Sequence, residues 1–150
     1  MSDPLHEAKE SLATVKREYT AVSSLNASTA FTATVACESA IASLFKKATG
    51  DEFPYQRFPR HKPGHWAAKL GISSYYTSNS QEFLNKIDGY SLDKARYEGT
   101  TAFKQHTRLE AMSRGQELVS GIENLINETE SLLFNEEALE LIKSKLKGGV

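Results

Sequence analysis

The chain has 150 residues, 39% of them hydrophobic and 25% charged, with four prolines and nine glycines. That composition belongs to a globular domain and excludes a disordered or fibrous chain, and a chain of this length hides roughly 70% of its unfolded surface in one core. The net charge of −1 excludes a general polyanion binder.

One cysteine, Cys37, rules out an internal disulfide, and its place in an apolar run marks an inert buried thiol in a reducing, cytoplasmic setting. Residues 1–4 show no secretion leader, and no stretch approaches the roughly 20 apolar residues of a membrane span. Charge is nonetheless uneven: acids against bases give 0 for residues 1–50, +3 for 51–114 and −4 for 115–150, and no acid lies between Glu52 and Glu82.

Leu5, Ala8, Leu12, Val15, Tyr19 and Val22 recur at steps of three and four and predict a first helix with one apolar stripe. Leu25 and Asn26 form a tight corner, with Asn26 as cap of a second helix that runs to Thr49 and stops at Gly50. Two long helices joined by so short a turn pack antiparallel. The second helix carries the seam Phe31, Val35, Glu38, Ala42 and Phe45. A carboxylate on that seam lies against packed side chains, where an unpaired charge costs several kcal/mol, so Glu38 needs a partner. A hydrogen bond to a loop backbone or to a nearby Arg is the structural reading, and a place in a ligand cleft paired with Arg96 or His65 is the functional one.

Residues 51–64 hold three of the four prolines and no stable period, which predicts a loop. This acid-free segment carries Arg57, Arg60 and Lys62 beside Tyr55, Phe58 and Trp66. Cations next to aromatic faces are what single-strand binders use, where stacking on a base is worth about 1–3 kcal/mol; the alternative is a solvated loop whose rings anchor it to the bundle. A short helix over His65–Leu70 follows, and its start could gather a phosphate beside His65. His61 and His65 stand at i, i+4, but Pro63 and Gly64 interrupt a helix between them and no metal site is completed, so no metal or other cofactor is expected. Gly71 turns the chain, a helix spans Ser80–Asp88, and a loop passes Arg96 to Gly99.

The longest helix is expected from Thr100, with Phe103, His106, Leu109, Met112, Val119, Ile122 and Leu125 along one side. Gly115 and Gly121 interrupt it at a cost of about 1 kcal/mol each relative to Ala, which predicts a close helix crossing or a bend. A last helix spans Glu136 to Lys147, acidic at its start and basic at its end as the helix dipole favours. The fold class is all-α, an up-and-down bundle of five to six helices in one domain over 1–150.

The order of elements, with Ala36-Cys37-Glu38-Ser39-Ala40-Ile41 in the second helix, Gly64-His65-Trp66-Ala67-Ala68-Lys69-Leu70 in the short segment and Ala95-Arg96-Tyr97 before the last long helix, resembles the HEPN domains, especially the branch found in sacsin. The resemblance covers residues 5–134 and leaves 135–150 as a C-terminal helix. Ala95-Arg96-Tyr97 is similar to the family's Ala-Arg-Tyr-Pro signature, with Glu98 in place of Pro. It implies a homodimer that binds a nucleotide or RNA, with Glu38, His65, Arg96 and Tyr97 at the matching positions; the basic aromatic segment adds Arg57, Arg60, Lys62 and Trp66 to the expected site.

The family's ribonucleases carry an Arg followed after four to six residues by His. Thr101, Ala102 and Phe103 fill that window after Arg96, which implies a non-catalytic member. Arg60 and His65 meet the spacing at a displaced position and are the candidate catalytic pair of an alternative ribonuclease, as a toxin partnered by an antitoxin or a nucleotidyltransferase. A structural adaptor for protein association is the further alternative.

Overall fold

The structure, a computed structural model, describes residues 3–22, 27–89 and 108–147. Among these residues it is all-helical: α1 Pro4–Val22, α2 Ala27–Thr49, α3 Pro63–Lys69, α4 Ser78–Gly89, α5 Arg108–Leu132 and α6 Glu136–Lys147, with 3-10 turns at Tyr55–Arg57 and Ser73–Tyr75 and no strand. The Leu25 and Asn26 corner, the Arg96 to Gly99 loop with Tyr97, and the Thr100 start of the long helix lie outside the described residues.

The first helix begins where Asp3 caps it, its carboxylate accepting the His6 amide at 3.2 Å. Its stripe is buried as far as Val15: Ala8, Leu12 and Val15 are in the core and Leu5 packs on its edge, while the side chains of Tyr19 and Val22 lie outside those described. Lys9 pairs with Glu130 at 3.3 Å and Lys16 with Glu123 at 3.0 Å. The register runs forward along α1 and backward along α5, so the two helices are antiparallel. These half-exposed pairs report orientation and add little stability.

α2 is the central rod. It touches α1, α3, α4, α5 and α6, and from Ala36 to Phe45 every side chain is buried, among them Ala36, Ala40, Ala42 and Ser43. Small residues let five neighbours approach one axis, and a helix apolar nearly all round is one enclosed by its fold. The core is a single cluster from Ala8 to Ile142 with contributions from all six helices.

Two helix starts differ from the sequence expectation. α3 begins at Pro63 rather than His65, because a proline has its φ preset for the first helical position and lacks only an amide that would be unpaired there. α4 begins at Ser78 rather than Ser80; Thr77 precedes it and its hydroxyl accepts the Ser80 amide at 3.3 Å. Glu128 of α5 then accepts the Thr77 amide at 2.8 Å and the Ser80 hydroxyl at 2.5 Å, fixing the start of α4 to α5.

The interruption at Gly121 is a close crossing. A Cβ there would overlap the ring of Phe83 on α4, so the ring fills the space a larger residue would take. α6 runs as the sequence predicts, with the Asn135 side chain accepting the Ala138 amide at 3.1 Å as its cap.

Candidate functional site

The basic segment folds back across α2 and is held by its rings. Phe53 stacks on Trp66 with centroids 4.5 Å apart and meets Phe45 edge-on at 5.3 Å. Trp66 is 1% exposed, and its indole Nε1 donates to the Pro59 carbonyl at 2.6 Å. Phe58 is buried with them. Trp66 is thus a packing residue and presents no open face to a base, which corrects the stacking role expected of it. Between α2 and α3 the only regular element is the short 3-10 turn Tyr55–Arg57, and such a segment relies on large buried rings as anchors. Tyr55, 53% exposed and edge-on to both Phe53 and Trp66, is the ring left at the surface.

Glu38 finds its partner in His61, and neither His65 nor an arginine among the described residues is bonded to it. Its carboxylate accepts the His61 backbone amide at 3.2 Å and lies 3.3 Å from His61 Nδ1. His61 adopts φ +57°, a left-handed conformation in which its amide and ring turn to the same side, and Phe31 closes on the ring edge-on at 5.4 Å. Burial pushes the Glu38 carboxyl above the ordinary carboxylate range; the His61 ring and amide pull it back, and the charge on Asp88 pushes it up again.

His65 is paired with a residue that sequence reasoning missed. Asp88, in the last turn of α4, accepts the Gly64 amide at 2.8 Å, the His65 amide at 3.0 Å and His65 Nδ1 at 2.7 Å. An ionised carboxylate only accepts, so the proton sits on Nδ1 and Nε2 is left as the free ring nitrogen of a side chain 60% exposed. The amides at the start of α3 therefore already hold an anion, Asp88, and the phosphate expected beside His65 has no free amides there to meet. A carboxylate at the C-terminal end of a helix opposes that helix's own dipole, and this was the signal in the sequence that Asp88 serves another element.

With Glu38 and Asp88 turned inward, the outer surface of the segment is cationic. Arg57, Arg60 and Lys69 are exposed and Lys62 is half-buried. Lys69 Nζ donates to the Arg57 carbonyl at 2.7 Å and lies 4.7 Å above the Phe58 ring, so it also ties the strap to α3. Arg96 and Tyr97 lie outside the described residues.

Beside this surface is an open-sided cavity of about 570 Å³ lined by Phe45, Ala48 and Thr49 of α2, by Asp51, Glu52, Pro54 and Arg57, and by Lys143 of α6. No group of three or more His, Cys, Asp or Glu among the described residues could hold a metal ion, and no described helix is long and apolar enough to cross a membrane. Cys37 is fully buried; burial, then the charges of Glu38 and Asp88, push its thiol far above the ordinary range and keep it neutral and unreactive.

Comparisons with protein-family models, with curated proteins and with solved structures return no match.

Proposed function

We propose that this chain is a non-catalytic, HEPN-type binding module that takes a nucleotide or a segment of RNA on the cationic surface of residues 55–69 and acts as a homodimer, with Arg96 and Tyr97 joining the site as the resemblance implies. The observation that carries this reading is the inward use of two carboxylates that face the segment: Glu38 is taken up by His61 and Asp88 by the start of α3. Arg57 and Arg60 are exposed and Lys62 is half-buried, close in sequence to the exposed Tyr55 ring, in a stretch that has no acid from Phe53 to Gln81. Cations attract phosphates and an exposed ring gives a base a face.

The test is titration of short single-stranded RNAs and nucleotides against the whole chain and against Arg57→Ala/Arg60→Ala/Lys62→Ala. Each phosphate contact of a single strand contributes about −0.7 to the slope of log K against log salt, so losing three should flatten the slope by about 2. Binding should weaken without a fall in melting temperature; unchanged affinity removes the segment from the account. Sizing by light scattering checks the dimer.

A second reading, a ribonuclease using Arg60 and His65 within a toxin and antitoxin pair, is favoured by one observation: Asp88 holds His65 Nδ1 and leaves Nε2 exposed, the orientation a general base needs. RNA cleavage that survives His65→Ala eliminates it.

A further inference from the structure

The cavity beside the cationic surface has a chemistry of its own. Its volume, about 570 Å³, lies within the roughly 300–1,000 Å³ of small-molecule sites. Its lining is apolar at Phe45, Ala48 and Pro54 and carries charges of both signs at Asp51, Glu52, Arg57 and Lys143.

The rim is built rather than draped. Gly50, at φ +79°, reverses the chain directly after α2, and the Asp51 amide donates to the Thr49 hydroxyl at 3.1 Å. Glu52 pairs with Lys46 at 2.9 Å. The next residue, Phe53, is locked between Phe45 and Trp66, and the Arg57 carbonyl is held by Lys69. Asp51 is thus an exposed carboxylate on a fixed backbone at the mouth of an apolar hollow. Lys143 reaches the same hollow from α6, where its other contact is the exposed Glu140 at 3.3 Å.

A ligand that satisfies all three features has a flat body, a donor-bearing edge and an anionic tail, which describes a nucleotide. The carboxylate then selects the base. Asp51 can only accept hydrogen bonds. Guanine presents two adjacent donors on its pairing edge, N1–H and N2–H, which two carboxylate oxygens accept together. Adenine and cytosine each set a donor beside an acceptor, and uracil sets its one donor between two acceptors; each would turn a lone pair toward the carboxylate. We propose that this cavity binds a guanine nucleotide, with Asp51 on the base edge, Pro54 against the ring, and Lys143 and Arg57 on the phosphate. The proposal rests on the nucleotide-binding reading above and adds a place and a base to it.

A free nucleotide and the last residue of an RNA share this chemistry, so the test has both. GMP, IMP and AMP, and the RNAs UUUUG and UUUUA, are titrated by calorimetry against the whole chain, against Asp51→Asn and Lys143→Ala, and against Arg60→Ala/Lys62→Ala, which leaves the cavity intact. GMP should bind at least tenfold tighter than AMP, and IMP, which lacks N2–H, should fall between. Asp51→Asn should erase the difference between GMP and AMP while leaving the circular dichroism spectrum unchanged, and Lys143→Ala should weaken both nucleotides. A preference for UUUUG over UUUUA without GMP binding assigns the cavity to RNA ends, and the reverse assigns it to free nucleotide. Equal affinity for GMP and AMP together with equal affinity for UUUUG and UUUUA, or a guanine preference indifferent to Asp51→Asn, overturns the proposal. If RNA binding is then still lost in Arg60→Ala/Lys62→Ala, the cationic surface stands without the cavity. Absence of any nucleotide or RNA binding overturns both.

Discussion

The carboxylate of Asp88 lies 2.7 Å from Nδ1 of His65 and accepts the His65 amide as well, so one side chain at the end of α4 caps α3 and fixes an imidazole. Only about a tenth of the Asp88 side chain is exposed, and water cannot fully replace it. Loss of a helix cap costs about 0.5–2 kcal/mol, and stranding the partner of a charged hydrogen bond adds to that. Asp88→Ala should therefore lower the unfolding free energy by about 2 kcal/mol, read as a shift of the urea midpoint. Asp88→Asn, which keeps one acceptor, should lose less. A midpoint unmoved by Asp88→Ala would mean that the contact contributes nothing.

Gly64 is shaped by the same carboxylate. A Cβ built on it would stand 2.6 Å from Asp88 Oδ2. Alanine is the better helix residue by about 1 kcal/mol, yet here it must push the cap away, and Gly64→Ala should destabilise by about 1–2 kcal/mol. In the Asp88→Ala background the obstacle is gone, and the same substitution should be neutral or stabilising. Additive effects in this double-mutant cycle would show that the two residues do not meet in the way described.

The apolar periodicity carried most of the fold: the stripe on α1 as far as Val15, the seam on α2 from Glu38 to Phe45 and the close approach at Gly121 follow from spacing and residue size, which are local, whereas Phe31 at the start of that seam stays 37% exposed. Glu38 was legible as a charge on a buried face for the same reason. Its partner was not, because pairing with His61 depends on a left-handed backbone at one residue in a segment with no period. Trp66 beside Arg60 and Lys62 read either as an anchor on the bundle or as a stacking surface. Deciding between them needed the position of Phe53, which is set by how the chain returns from Gly50 and not by any neighbour in sequence. The cavity joins Asp51 to Lys143, residues that only the packing of α6 on α2 brings together.

Glu38 should give stability a dependence on pH. Burial raises its folded-state pKa above the ordinary 4.5 against the opposing pull of His61, and Asp88 raises it further. A raised carboxyl holds its proton more tightly in the folded chain. Its contribution is fully present below the unfolded value and is lost as pH rises through the folded one. The groups that face it are His61 from the strap, Asp88 from α4 and the neutral Cys37 beside it on α2. Relative to Glu38→Gln, the unaltered chain should gain stability as pH is lowered from neutrality toward 4.5. Urea midpoints of the two proteins across that window check the sign. A difference that stays flat, or that moves toward the variant, would contradict it.

Trp66 and Tyr55 touch edge-on at 5.7 Å, yet they should answer two measurements in opposite ways. Trp66 is enclosed, stacked on Phe53 and bonded through Nε1 to Pro59. Trp66→Ala removes a large buried ring and strands a carbonyl, and substitutions of this kind cost about 3–5 kcal/mol. Tyr55 stands half in solvent, so Tyr55→Ala should change stability by less than about 1 kcal/mol. RNA affinity should show the reverse pattern, because stacking on an exposed ring is worth about 1–3 kcal/mol per base and Tyr55→Ala should weaken binding fivefold or more. The chain has one tryptophan, which makes its fluorescence a direct report on this division. Emission from the native protein should be blue-shifted, should stay in place when RNA is added, and should move to the red only on unfolding. If RNA quenched that emission while Tyr55→Ala bound as before, the base would be reaching the core side of the strap, and the cationic surface would have to open to admit it.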